Sequence, residues 1–253
     1  MLSFSEQGHG PALVLLHAYP LDRSMWQTQA DVFSSRHRVI ALDAFGFGGS
    51  QPPRPWTMPD MGDALLALLD RRQIEKCTLA GLSMGGYISI PFALAHPDRV
   101  ERLVLAHTRA RADFDAEKTA RNDMIAALKK DGVAILPDRM IPRLLAENAT
   151  QEVRGIVRAA IYRASAEACI HAVTAMRDRA DQTGNLARIS CPTLVITGDA
   201  DGIIKVEDSE KMAASIPDGK LSVIARTGHL SNLENPSAFN QALDEFLKPS
   251  GSK

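Results

Sequence analysis

The residues with the most chemical promise are a serine, a histidine and two aspartates. Ser83 stands in Gly81-Leu82-Ser83-Met84-Gly85, a G-x-S-x-G pattern. A serine hydroxyl is a poor nucleophile until a base takes its proton. The usual base, an imidazole, needs a carboxylate to hold its tautomer and stabilise its cation. Downstream, Gly198-Asp199-Ala200-Asp201 offers the carboxylate and Thr227-Gly228-His229-Leu230 the imidazole. The order serine, acid, histidine suits a nucleophile carried on a strand–turn–helix elbow. On the residues alone both Asp199 and Asp201 stay open, because two positions in a loop change the direction in which a carboxylate points.

Acyl transfer by such a set also needs donors for the charge that develops on the attacked carbonyl oxygen. Losing one donor typically costs about 100- to 1,000-fold in rate. The backbone N–H of Met84 follows the nucleophile and sits at the positive end of a helix. The second donor is expected from the loop after Ala12 to Leu16, with the N–H of Tyr19 as the candidate. Among the other histidines, His107 competes with His229 because it too falls at a strand end. Its better reading is a polar residue at the mouth of the pocket, and His17 is placed there as well. His9, His37, His96 and His171 fall in turns, helix ends or a helical insertion and suit surface roles.

The elements that must position these groups are legible as alternating periods. Ala12–Leu16, Val39–Leu42, Thr78–Ala80, Leu103–Ala106, Leu194–Ile196 and Leu221–Ile224 are short, mostly apolar runs, as expected of strands covered on both faces. Helical periods separate them: one begins near Met25 with Trp26 and Phe33 inward, and others run over Asp60–Arg71, Met84–His96, Glu207–Ser215 and Pro236–Leu247. Ser5 to Pro11 reads as a polar turn. The rhythm predicts an α/β protein, a mostly parallel sheet with helices on both faces. Ligands of such sheets bind beyond the carboxyl ends of the strands, where His17, Asp43, Ser83 and His107 would all lie.

From Thr108 the texture becomes charged, alanine-rich and helical. Val153, Ile156, Val157, Ala160 and Ile161 form one stripe, and Ile170, Val173 and Met176 another, with Ser165 as a candidate N-cap. Residues 108–190 are therefore expected to be a helical cap inserted in a core made of 1–107 and 191–253. Leu136, Met140, Ile141, Leu144 and Leu145 lean towards an uncharged acyl group, with Met140 and Leu144 taken as pocket residues.

With 29 basic and 30 acidic residues interleaved, the chain has no basic stripe for nucleic acid or an anionic membrane. No apolar run is long enough to span a bilayer, and the N-terminus lacks the pattern of a secretory signal. Cys77, Cys169 and Cys191 are scattered and odd in number, which suggests reduced thiols in the cytoplasm and neither a disulfide scaffold nor a zinc site. Residues 249–253 read as a loose tail.

Taken together, Leu15-Leu16-His17-Ala18-Tyr19-Pro20, Asp43 to Ser50, Gly81 to Gly86, Gly198 to Asp201 and Gly228 to Pro236 resemble the α/β-hydrolase superfamily over nearly the whole length. Pro20-Leu21-Asp22 with Met25-Trp26 is most similar to the 3-oxoadipate enol-lactonase-like esterases and lactonases. The family pattern G-x-x-D, whose last position is the acid, falls on Gly198 to Asp201 and so favours Asp201. Two positions depart from the pattern. Ala18 replaces the glycine of H-G-x-P, and Ile204-Lys205 replace a Thr-Pro pair after the acid. The resemblance implies a cofactor-free, metal-free serine hydrolase of small esters or lactones, with Ser83, Asp201 and His229 as the triad and Tyr19 and Met84 as oxyanion donors. A carbon–carbon bond hydrolase of the same fold, or a slow ligand-binding receptor like certain hormone receptors of the superfamily, are the alternatives. Relatives that form an aspartyl ester place an aspartate where this chain has Ser83.

Overall fold

The computed structural model describes residues 2–248, so the tail expected over 249–253 lies outside the described residues. Seven strands form one sheet in the order β1-β3-β2-β4-β5-β6-β7. They are β1 (Phe4–Gln7), β2 (Ala12–Leu16), β3 (Arg38–Leu42), β4 (Cys77–Leu82), β5 (Val100–Ala106), β6 (Thr193–Gly198) and β7 (Gly219–Ile224). Every pairing is parallel except β1 with β3. The architecture is that of an α/β hydrolase.

Residues 5–7, expected to be turn, belong to β1. The strand escapes an apolar-run search because it lies on the sheet's edge and is half-buried throughout. The inner strands β2, β4 and β6 are buried at every position. Leu13, Val14 and Leu15 are each 0 % exposed, and a side chain so buried contributes roughly 1.5–3 kcal/mol.

Between β2 and β3 runs α1 (Gln27–Phe33), entered through a short 3₁₀ turn that buries Trp26. Next comes α2 (Met58–Arg71), starting two residues earlier than its pattern suggests. Its start is fixed by Thr57 and Asp60: Asp60 Oδ2 accepts the Thr57 N–H at 2.7 Å, and Thr57 Oγ1 accepts the Asp60 N–H at 3.3 Å. The helix after β4 is α3 (Met84–Ala95).

Four helices stand between β5 and β6: α4 (Asp115–Asp131), α5 (Leu136–Leu144), α6 (Gln151–Arg163) and α7 (Ala166–Arg177). Ser165 caps α7 by accepting the Ala168 N–H at 3.1 Å. In α6 the buried face is Val157, Ala160 and Ile161; Ile156, expected in that stripe, is 48 % exposed. The chain closes with α8 (Val206–Ala214), the single turn α9 (Ser231–Glu234) and α10 (Pro236–Leu247), which Asn235 caps.

The chain runs from β2 to β3 on one side of it and then to β4 on the other, which opens a crevice at their carboxyl ends. Across the sheet Leu82 is paired with Ala106 and Ala106 with Ile196. The next residues, Ser83 and His107, therefore leave the sheet side by side.

Candidate active site

Ser83 begins at the crevice with φ 55° and ψ −110°. A non-glycine residue in that region costs about 1–3 kcal/mol and persists only where its neighbours over-determine it. Here they do. The Ser83 N–H donates to Ala106 O at 2.8 Å, and Ser83 O accepts from Thr108 Oγ1 at 2.9 Å and from the Gly86 N–H at 2.9 Å. The crowding also explains the flanking glycines. A Cβ on Gly81 would lie 2.3 Å from Gly85 O, and one on Gly85 would lie 2.3 Å from Leu16 O.

The loop after β6 curls back so that Asp201, rather than Asp199, faces inward. Asp199 Oδ1 accepts the Arg226 N–H at 2.6 Å, on the exposed side. Asp201 has a side chain 0 % exposed and takes bonds from four donors. Its Oδ1 accepts the Ile203 and Ile204 N–H groups at 2.8 and 3.0 Å. His229 Nδ1 lies 3.0 Å from Oδ1 and 2.8 Å from Oδ2, and His107 Nδ1 lies 2.9 Å from Oδ2. Burial alone would push the carboxyl up, but the charge of His229 and the bonds from both histidines outweigh it and hold Asp201 far below the usual range. It is an acceptor only.

His229 Nδ1 is thus committed to Asp201, which leaves Nε2 for the cavity that His229 and Ser83 both line. Among the described residues no hydrogen bond joins Ser83 Oγ to that imidazole; such contacts commonly tighten only with substrate bound. The His229 N–H donates to Leu144 O at 2.9 Å, so a residue of α5 holds the backbone of the loop. Glu234 reinforces this by accepting the Gly228 N–H at 3.0 Å and the Ala146 N–H at 2.8 Å. Burial raises Glu234 above the ordinary carboxylate value.

The backbone N–H groups of Tyr19 and Met84 donate to no protein group among the described residues. They flank the crevice, from the loop after β2 and from the first position of α3. Such geometry suits an oxyanion.

The cavity has a volume of about 150 Å³, and Tyr19, Ser83, Met140, Leu144 and His229 all reach it. His17 and His107, expected at its mouth, do not. His17 is buried beneath the loop after β2 with Nδ1 2.9 Å from Ala18 O, while its Nε2 accepts the Ala44 N–H at 2.9 Å. Burial lowers its pKa, so it braces the loops after β2 and β3 as a neutral ring. His107 lies behind Asp201, away from the cavity wall. Leu136, Ile141 and Leu145 are buried elsewhere than in the lining.

Sequence reasoning missed Tyr87 and the charged part of the lining, made by Arg109, Arg121 and Arg143 with Asp113 and Glu117. Arg109 Nη1 is 2.7 Å from Glu117 and Arg121 Nε 2.5 Å from Asp113. The usable signal was Arg109 itself, three residues past a strand end.

His107, Asp201 and His229 are also the cluster of metal-ligating atom types among the described residues, all within 4.8 Å of one another. Each Nδ1 lies at hydrogen-bond distance from the carboxylate, an arrangement that one N–H from each ring satisfies. No helix among the described residues is long and apolar enough to cross a membrane.

A seven-stranded sheet with a strained serine at its crevice defines a class, and sequence comparison agrees: the chain belongs to the alpha/beta hydrolase family, whose profile matches residues 13–242. A curated relative is 3-oxoadipate enol-lactonase 2 of Acinetobacter baylyi, 30 % identical over 246 residues, covering 96 % of this chain and 90 % of that one. Among solved structures, a thermophilic esterase of Thermogutta terrifontis has a TM-score of 0.94 at 38 % identity, covering 97 % of this chain and 92 % of that one. The enol-lactonase of Burkholderia xenovorans LB400 has a TM-score of 0.90 at 27 % identity, covering 97 % and 96 %.

Proposed function

We propose that this chain is a serine hydrolase that cleaves small carboxylic esters or lactones through an acyl-enzyme, without a cofactor. The observation that carries the reading is the convergence of Ser83 and His229 on one cavity, with the Nδ1 of His229 held by buried Asp201. Ser83 Oγ attacks the carbonyl carbon as its proton passes to His229 Nε2. The oxyanion is met by the N–H groups of Met84 and Tyr19. Collapse expels the alcohol, which takes the proton from His229. Water, deprotonated by the same nitrogen, then releases the acid and restores the serine. Asp201 stays ionised throughout and stabilises the imidazolium. Esterases and lactonases among the relatives support this reaction class.

In this reading the helices of 108–190 form the cap over the site, and the free, buried Cys77, Cys169 and Cys191 fit a cytoplasmic protein. A cavity of about 150 Å³ suits a short acyl group, since a cavity of that size accommodates roughly one benzene ring. Arg109 and Arg121 are engaged by carboxylates. Arg143, exposed at the rim, is the guanidinium left to meet an anionic group on the far end of a substrate.

The test is hydrolysis of a chain-length series of p-nitrophenyl esters and of small lactones, wild type beside Ser83→Ala. Turnover highest for acetyl to butyryl and absent in the variant is expected. Turnover that survives in Ser83→Ala would overturn the serine mechanism. Activity on carbon–carbon substrates alone, or thermal stabilisation by a ligand without turnover, would replace this reading with one of its rivals.

A further inference from the structure

We propose that His107 is a positioning residue for the acid: it holds Asp201 through Oδ2, the oxygen that also meets His229, and ties the acid loop to the histidine loop. The inference rests on the assignment of Asp201 and His229 above and extends it to a second histidine. His107 emerges from β5 with φ 49°, a strained value for a non-glycine residue, and its N–H donates to Ile196 O at 2.7 Å. That backbone turn aims the ring across the carboxyl ends of β5 and β6. Its Nδ1 meets Asp201 Oδ2 at 2.9 Å and its Nε2 meets Ser231 Oγ at 2.6 Å.

The tautomer follows from the partners. An ionised carboxylate only accepts, so His107 Nδ1 must carry the hydrogen, and the Nε2 lone pair then accepts the Ser231 hydroxyl proton. Burial favours the neutral ring. Ser231 lies two residues beyond His229 at the start of α9 and is itself 0 % exposed. One imidazole thus joins the strand that anchors the Ser83 backbone, the loop of the acid and the loop of the base. With both rings 0–1 % exposed and only His229 on the cavity wall, His107 does not touch substrate. Its effect must pass through Asp201.

Two consequences separate this role from plain packing. A carboxylate that receives a second N–H is a weaker acceptor towards His229. Removing His107 therefore leaves Asp201 more basic and His229 harder to deprotonate, so the acidic limb of the rate profile moves to higher pH. Asparagine, whose amide nitrogen stands near the place of Nδ1, keeps the donor to Asp201 and should restore much of the rate. The other ionisable neighbours are Glu234 behind the His229 loop and, across the cavity, Arg109, Arg143 and the ion pairs already described. Of these groups only the two histidines hydrogen-bond Asp201.

The experiment is kcat and KM against pH for wild type, Ser83→Ala, His107→Leu and His107→Asn on one p-nitrophenyl ester. Outer partners that orient a functional group are typically worth about 10- to 100-fold. His107→Leu is expected to lose that much kcat at a KM within about twofold, with its acidic limb shifted upward, and His107→Asn to regain at least half of the loss on a logarithmic scale. Wild-type kcat and an unmoved limb in His107→Leu, or equal losses in both variants, would overturn the proposal. If His107→Leu does not fold, Ser231→Ala decides: freeing Nε2 should lower kcat and move the limb the same way, and no change in either refutes the clamp. Turnover that persists in Ser83→Ala refutes the serine reading instead, so the two failures are distinct.

Discussion

Replacing Asp201 by asparagine separates the charge of the acid from its shape. In Asp201→Asn the side-chain oxygen would stay on the Ile203 and Ile204 N–H groups, which hold Asp201 Oδ1 at 2.8 and 3.0 Å. The amide nitrogen then faces both imidazoles, now 2.8 and 2.9 Å from Oδ2. It offers two N–H donors and no acceptor, so each ring must turn a bare Nδ1 towards it and carry its hydrogen on Nε2. His107 can do this without loss, because the Ser231 hydroxyl accepts as readily as it donates. His229 cannot, since its N–H then points into the cavity and takes no proton from Ser83. Every buried polar group keeps a partner, so the unfolding free energy should change by no more than about 1 kcal/mol. A wrongly tautomerised base costs about 10⁴-fold in kcat, or about 5.4 kcal/mol at the barrier. The assay is p-nitrophenyl acetate hydrolysis with kcat and KM resolved, beside Asp199→Asn, whose exposed carboxylate among the described residues accepts only the Arg226 N–H and whose rate should stay within about twofold. A kcat for Asp201→Asn within tenfold of wild type, or a larger loss in Asp199→Asn, would refute the reasoning.

Three further expectations concern the frame around the site. Glu117 is held at about 2, below its ordinary 4.5, first by its hydrogen bond from Arg111 and further by the Phe114 N–H and the charge of Arg109. Its stabilisation is complete above pH 4.5 and is lost as pH falls towards 2. The stability gap between wild type and Glu117→Gln in urea should accordingly be constant from pH 7 to about 5 and narrow by pH 3; a gap unchanged at pH 3 would contradict the assignment. Gly85→Ala forces a Cβ to within 2.3 Å of Leu16 O, so α3 must retreat from β2 with the Met84 N–H on it. Thermal unfolding should report a loss of about 1–3 kcal/mol, and kcat should fall more than KM rises. Gly155→Ala, in α6 with open space around its Cα, should instead add roughly 0.5–1 kcal/mol, and a destabilised variant would mean that α6 is less regular than described.

Why some features were legible in the sequence and others not comes down to the range of the interactions. Inner strands such as β2 and β4 are covered on both faces, so burial writes itself as an unbroken apolar run. β1 is half-buried at an edge, and its Phe-Ser-Glu-Gln carries no such signal. The neighbourhood of Ser83 was legible because its pattern is contiguous: Gly81 is needed for a contact within the elbow, although Gly85 answers to Leu16 of the distant β2. The choice of carboxylate was not: Asp199 and Asp201 differ only in which way the loop curls, and a family pattern was needed to prefer one. His107 shows the same limit more sharply. Its place at a strand end could be read, but its partners lie 94 and 124 positions away, and no periodicity carries that. The charged wall of the cavity stayed hidden in a stretch whose arginines and carboxylates look like a solvated helical face.

The bond from the His229 N–H to Leu144 O, with Glu234 gripping the Ala146 N–H, sets a condition on how this scaffold can be re-engineered. The helices between β5 and β6 look like an exchangeable module, suited to swapping in another specificity. Yet two peptide units of that module, near 144 and 146, are the far side of the backbone anchor of the His229 loop. A chimera that cuts at 108 and 190 would discard them and leave the histidine loop to find new partners. Grafts that retain 144–146 and vary α4, α6 and α7 would alter the lining while keeping His229 in register.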